Sequence, residues 1–127
     1  MNTLTLWIIG VCLLLAAGAA GPLAALAHSF PQEETPSAGQ RLSSPPSAIT
    51  IKFDAPIEKL FAKLDVLDAE GKSEAVGQPQ VDPSALTLSV KLAALKPGDY
   101  TVKWAVVCID SHHTEGSYVF TVAGGGG

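Results

Sequence analysis

Short runs of alternating apolar and polar residues, separated by turn-forming residues, constrain the fold of this chain more than any other feature. The alternation is clearest at residues 49–53 and 86–92, and it continues less regularly at 61–68. Residues 100–109 and 117–122 form two further runs rich in β-forming side chains. A period of two places one side of a strand in a core and the other side in water. Because no stretch shows a helical period, the pattern predicts an all-β sandwich.

The first 27 residues differ from the rest of the chain, because they contain no Asp, Glu, Lys or Arg. Residues 6–17 are apolar throughout and lead into Ala25-Leu26-Ala27, the small-x-small pattern that signal peptidase accepts. The apolar stretch is also long enough for an uncleaved membrane anchor. We favour a cleaved signal peptide at 1–27, a mature domain at 28–123 and a flexible glycine tail at 124–127, which is a linker or a remnant.

The charge and the cysteine content of the chain limit the functions that it can have. The chain has 8 Lys and Arg against 12 Asp and Glu, without the clustered cations that nucleic acids require. Cys12 lies in the signal peptide, so Cys108 alone remains in the mature domain and an internal disulfide is excluded there. Since cysteine is among the most often buried residues, we expect Cys108 to be an inert packed thiol, with a contact to bound metal as the alternative.

Histidines at two places in the sequence indicate a metal site. His28 becomes the first residue after cleavage, where its α-amine and ring nitrogen can bind one metal ion together. Asp110 and His112 follow the long fourth run and add a carboxylate and a second imidazole. This set of nitrogen and oxygen donors suits Cu(II), which also binds most tightly in the divalent series. Each motif alone is weak, since cleavage can expose a histidine by chance and Asp-x-His can be a polar turn.

Four segments in order along the mature chain form a more specific pattern than any one motif. They are His28 with Pro36-Ser-Ala-Gly39, Phe53-Asp-Ala-Pro-Ile-Glu58, Leu95-x-Pro-Gly-x-Tyr-x-Val-x-Trp104 and Val106-Val-Cys-Ile-Asp-Ser-His-His-Thr-Glu-Gly116. Through these segments, nearly all of the mature chain resembles the CopC-type periplasmic copper-resistance proteins. The resemblance implies a cupredoxin-like, Ig-like Greek-key β-sandwich of about seven strands that binds one Cu(II) per chain through His28, Asp110 and His112.

The resemblance also ranks the neighbouring residues. Gly116 falls four residues after His112, which favours His112 as the ligand and makes His113 an exposed neighbour that can compete for metal. Asp54 lies one residue before the position of a glutamate that is common in the family. We treat it as a candidate hydrogen-bond acceptor for the terminal amine or a ligand ring, although a plain turn role is slightly favoured. Ser111 replaces the usual glycine, so a turn with positive φ is less favourable there.

The predicted function is a non-enzymatic, monomeric periplasmic protein that sequesters Cu(II), provides copper resistance or delivers the ion to a CopD-type inner-membrane partner. No nucleic acid or small-molecule substrate is expected. One alternative is a small copper monooxygenase, although a ligating Asp110 would occupy the position that oxygen needs. The other is a metal-free adhesion sandwich. The only methionine is Met1, which leaves with the signal peptide, so no separate Cu(I) site is expected.

Overall fold

The protein is an all-β sandwich of two four-stranded sheets, as predicted. The computed structural model describes residues 29–124, so the predicted signal peptide, His28 and residues 125–127 lie outside the described residues. Within this range, a 3₁₀ turn at Lys59–Phe61 is the only helical element. The strands are β1 (Pro31–Thr35), β2 (Arg41–Leu42), β3 (Ala48–Phe53), β4 (Lys63–Leu67), β5 (Ala75–Val81), β6 (Thr87–Leu92), β7 (Gly98–Val107) and β8 (His113–Val122).

The strand order differs from the sequence order, because the chain crosses repeatedly between the sheets. The first sheet has the order β1-β3-β6-β5, and all of its pairs are antiparallel. The second has the order β2-β8-β7-β4, in which β2 runs parallel to β8 and the other pairs are antiparallel. In residues 29–124, no helix is long and apolar enough to cross a membrane.

The core lies between the sheets and follows the alternation seen in the sequence. Every second residue of β3 is buried, and β7 repeats this pattern from Tyr100 to Val106. Phe53 and Trp104 join the two sheets through an edge-on ring contact, with centroids 5.4 Å apart and planes at 73°. Trp104 is therefore a core residue.

Two strands that the alternation did not predict, β1 and β5, lie at the edges of the first sheet. Each contains a proline, Pro31 or Pro79, which cannot donate to a ladder and is tolerated on an edge. Neither strand contains a buried residue, so neither shows a clear apolar period. The two-residue strand β2, which the alternation also did not predict, lies at an edge of the second sheet.

Three segments meet at one end of the sandwich, which we call the site end. Pro31 at the start of β1 lies opposite Phe53 at the end of β3, so residues 29–30 run beside the loop that follows β3. An isolated bridge between Ile57 and Cys108 joins that loop to the turn after β7. The site end therefore consists of residues 29–30, 54–58 and 108–112.

Candidate metal centre

The turn between β7 and β8 carries the predicted Asp-x-His pair. The backbone N–H of Ser111 donates to the carbonyl of Cys108 at 2.9 Å, and the N–H of Cys108 donates to the carbonyl of His112 at 2.8 Å. Ser111 has φ of +75°, the left-handed conformation that glycine adopts more easily. The position where serine replaces the family's glycine is thus the position at which the turn requires positive φ.

Asp110 and His112 lie in direct contact. The Nδ1 atom of His112 is 3.1 Å from Oδ2 of Asp110, and the backbone N–H of His112 donates to Oδ1 at 3.2 Å. The Asp110 side chain is 36% exposed and the His112 side chain 53% exposed. The structure therefore brings a carboxylate and an imidazole together at a place that an ion can reach from solvent.

His113 follows this pair in sequence and begins β8. It is the first residue of β8 and lies opposite Val107, with its side chain exposed. Buried residues of β8 occur at even positions, so His113 shares the outward face of the sheet, where it borders a shallow groove with Leu60 and Phe61. The structure thus supports its description as an exposed neighbour, and its competition for metal stays a prediction.

Ser29, the residue that follows His28, is held on three sides. It is fully buried, and its backbone N–H donates to Sγ of Cys108 at 2.8 Å. Its hydroxyl donates to the carbonyl of Pro56 at 3.2 Å, and the hydroxyl of Thr114 donates to the Ser29 carbonyl at 2.8 Å. We call Pro56, Cys108 and Thr114 the Ser29 socket.

Asp54 binds Phe30, the residue that follows Ser29. Its Oδ1 atom accepts the backbone N–H of Phe30 at 2.8 Å, and its own N–H donates to the Phe30 carbonyl at 3.0 Å. Asp54 thus binds the backbone of the amino-terminal segment, and a contact with the terminal amine stays a prediction. Sequence patterns did not single out Ser29 or Thr114, because a serine after a cleavage site and a threonine in a strand are ordinary.

Cys108 is buried, with 2% of its surface exposed. Its position continues the inward parity of Val106 and Trp104, and its Sγ atom faces the backbone of Ser29 rather than the centre of the core. The thiol is therefore packed at the rim of the site end. A contact between this thiol and a metal ion stays a prediction.

Gly116 has a packing role that explains its place in the motif. It lies opposite Trp104 across the β7–β8 pair. A Cβ atom at this position would lie 2.7 Å from Cζ2 of the Trp104 ring, closer than side chains tolerate. The glycine therefore leaves room for the indole ring of Trp104 beside β8.

Within residues 29–124, no three His, Cys, Asp or Glu side chains come together as a metal site. Asp110 and His112 are two of the three predicted ligand residues, and the third, His28, lies outside the described residues. The described part of the chain thus defines a β-sandwich that carries a carboxylate–imidazole pair at one end, next to an anchored amino-terminal segment.

Comparison with known proteins gives the family. A family model described as CopC domain matches residues 32–123, and the chain belongs to the CopC family, as predicted. Protein YobA of Escherichia coli (strain K12) is 33% identical over 98 residues, which cover 76% of this chain and 79% of YobA. Copper transport protein CutJ of Bacillus subtilis (strain 168) is 25% identical over 103 residues, which cover 80% of this chain but 19% of CutJ.

Solved structures share the fold. CopC from Methylosinus trichosporium OB3b matches with a TM-score of 0.73 and 29% identity, over 79% of this chain and 98% of that one. PcoC, a methionine-rich copper resistance protein from Escherichia coli, matches with a TM-score of 0.66 over 76% of this chain and 99% of that one. Its identity of 21% supports the fold alone.

Proposed function

We propose that the protein binds one Cu(II) ion per chain at the site end, through the amine and ring of His28, the carboxylate of Asp110 and the ring of His112. As a member of the CopC family, the chain is a copper-binding protein of the copper-resistance class. The contact between Asp110 and His112, beside the anchored Ser29, is the observation that carries the proposal. The protein holds the ion in the periplasm for sequestration or for delivery to a CopD-type membrane partner.

The geometry of the Asp110–His112 pair suits one metal ion. Two donors bound side by side, with metal bonds of about 2.0 Å at a right angle, lie about 2.8 Å apart. The observed 3.1 Å between His112 Nδ1 and Asp110 Oδ2 is close to this separation. A small side-chain adjustment would therefore let both groups bind the same ion, in the tetragonal nitrogen and oxygen arrangement that Cu(II) favours.

Chain connectivity supports His28 as the remaining ligand. His28 is bonded to Ser29, and consecutive α-carbons lie about 3.8 Å apart. The N–H of Ser29 contacts Cys108, which precedes Asp110 by two residues. After cleavage, the α-amine has an ordinary pKa of about 7.7–8.0, so a metal ion can displace its proton near neutral pH.

The donor set also supports Cu(II) over Cu(I). Thioethers and thiolates select Cu(I), whereas amine, imidazole and carboxylate donors suit Cu(II). The mature chain has no methionine, in contrast to the methionine-rich PcoC, and its one thiol is buried. Neither the monooxygenase nor the metal-free adhesion alternative is favoured by the family to which the chain belongs.

Intact mass spectrometry of the exported protein, with and without Cu(II), tests this proposal. We expect the mass of a chain that begins at His28, and an increase by the mass of one copper ion when Cu(II) is present. His112→Ala should lose the copper adduct and His113→Ala should keep it, since His112 contacts Asp110 whereas His113 begins the outward face of β8. A mass that retains Met1 would contradict the amine ligand, and the absence of copper on a correctly processed chain would contradict the metal site.

A further inference from the structure

We propose that the Ser29 socket and Asp54 position His28 for copper, so that Thr114 and Asp54 set the copper affinity without touching the ion. This inference rests on the proposed function, because it concerns how that site is held. Thr114 and Asp54 are positioning residues in this account.

Five hydrogen bonds hold residues 29–30, three on Ser29 and two on Phe30. Their partners come from separate parts of the chain, since Asp54 and Pro56 follow β3, Cys108 follows β7 and Thr114 belongs to β8. The first residues of a domain are usually poorly ordered unless they are tied down. Here the tie begins one residue after the proposed ligand, at the fully buried Ser29.

The anchor on Ser29 is linked to His28 by covalent geometry. The peptide group between two residues is planar and includes the α-carbons on both sides. The N–H that Ser29 donates to Cys108 belongs to the peptide group that joins Ser29 to His28. The amine and the ring of His28 are then separated from fixed backbone by only a few rotatable bonds.

Such fixing strengthens metal binding without any added ligand. A donor held near the ion binds at a high effective concentration, because little freedom remains to be lost. Groups that orient metal ligands typically change metal affinity by about 10–100-fold when they are removed. We expect the same range for residues that act on His28 through Ser29.

Thr114 offers the sharper test, because valine has nearly the same shape and lacks only the hydroxyl hydrogen bond. Thr114→Ser keeps a hydroxyl that can donate to the Ser29 carbonyl and is the restoring variant. Thr121→Val is the matched control: Thr121 lies on the same strand, is half-buried like Thr114, and donates its hydroxyl to Asp99 at 2.6 Å. That bond lies at the other end of β8, opposite the start of β7.

The experiment measures the Cu(II) dissociation constant of the mature chain by competition with a chelator. We expect Thr114→Val to bind about 10–100-fold more weakly, Thr114→Ser to bind nearly as tightly as the wild type, and Thr121→Val to be unchanged. The electron paramagnetic resonance spectrum of copper-loaded Thr114→Val should broaden, because a loosened His28 samples several geometries. If Thr114→Val does not fold, the exposed Asp54→Ala serves in its place, with Asp54→Asn, whose amide oxygen can accept the Phe30 N–H, as its restoring variant.

Hydrogen exchange in the metal-free protein adds a readout independent of copper. The amides of Ser29 and Phe30 should exchange slowly in the wild type and in Thr121→Val, and faster in Thr114→Val. Failure of the wild type to bind Cu(II) would overturn the proposed function and this inference with it. Equal affinity of wild type and Thr114→Val, or unprotected Ser29 and Phe30 amides in the wild type, would overturn this inference alone.

Discussion

Two turns in this molecule have nearly the same backbone and different uses. In residues 82–85 and in residues 108–111, the N–H of the fourth residue donates to the carbonyl of the first at 2.9 Å. Both turns also end on a residue other than glycine with positive φ, +61° at Ala85 and +75° at Ser111. The backbone alone therefore does not separate the candidate metal centre from an ordinary connection between strands.

The difference lies in what each aspartate faces. Asp82, the first residue of its turn, accepts the N–H groups of Leu86 at 3.0 Å and Thr87 at 2.9 Å and the hydroxyl of Ser84 at 2.6 Å. Asp110, the third residue of its turn, contacts the backbone and the ring of His112 instead. An aspartate at the first position stabilises the start of the next strand, whereas one at the third position meets the side chain that follows.

The largest expected effect is on Cu(II) affinity, which should depend on Asp110 and not on Asp82. Asp110→Ala and His112→Ala each remove a proposed direct ligand, so Cu(II) affinity should fall by more than the roughly 100-fold limit typical of supporting residues. Asp82→Ala should leave the affinity unchanged, because its turn lies outside the site end. Competition titrations of the mature chain measure these effects. A similar loss in Asp82→Ala or His113→Ala would show that the assignment of ligands is wrong.

A second effect concerns the oxidation state of the ion. The site turn begins with Cys108, the one cysteine or methionine of residues 28–127, and its thiol is buried against Ser29. Reduction of the bound copper should therefore loosen it, because the other proposed donors prefer Cu(II). Anaerobic competition with a Cu(I) chelator, run beside a Cu(II) titration, measures the difference. Tight retention of Cu(I) that disappears in Cys108→Ser would assign the thiol to the site and contradict this prediction.

The sequence was sufficient to predict the strands that bury one face against the opposite sheet. Strands β3, β6 and β7 alternate because their inward residues pack in the core. The edge strands β1 and β5 contain no buried residue, so no periodic signal marks them. The two-residue strand β2 is too short to show a period, and it completes the eight strands of the sandwich.

The candidate site also has one part that the sequence indicates and one part that it does not. Asp110 and His112 are only two residues apart, so a short motif is enough to single them out as candidates. The Ser29 socket joins residues 79 and 85 positions apart and uses backbone groups as well as side chains. Patterns of residue type do not display such contacts, since every residue carries an N–H or carbonyl that packing alone can select.

A third effect, the pH dependence of thermal stability, distinguishes the turn at residues 82–85 from the turn at residues 108–111. The hydroxyl of Ser84 and the N–H of Thr87 lower the pKa of Asp82 below its ordinary value. A carboxyl group whose pKa is lower in the folded state stabilises the fold above its unfolded pKa, about 3.9, and this contribution disappears as pH falls through the folded value. Asp82→Asn should therefore melt below the wild type from neutral pH down to about pH 4, and the gap should close below that. Melting curves recorded over this range measure the gap, and a gap that persists unchanged in strong acid would contradict the ionic origin.

The smallest effect tests whether the two backbones are truly equivalent. Left-handed φ costs a residue other than glycine about 1–2 kcal/mol, while glycine adds freedom to the unfolded chain that offsets about 0.4–1 kcal/mol of the gain. Ala85→Gly and Ser111→Gly should therefore each stabilise the fold by about 1 kcal/mol or less, as measured by urea denaturation. Ser111→Gly should leave Cu(II) affinity unchanged, because glycine holds the same φ and the Asp110–His112 contact does not involve the serine side chain. A stabilised Ser111→Gly variant that binds copper more weakly would show that serine restricts the turn to the metal-binding geometry. In that case the site turn would differ from the structural turn in its backbone freedom as well as in its aspartate.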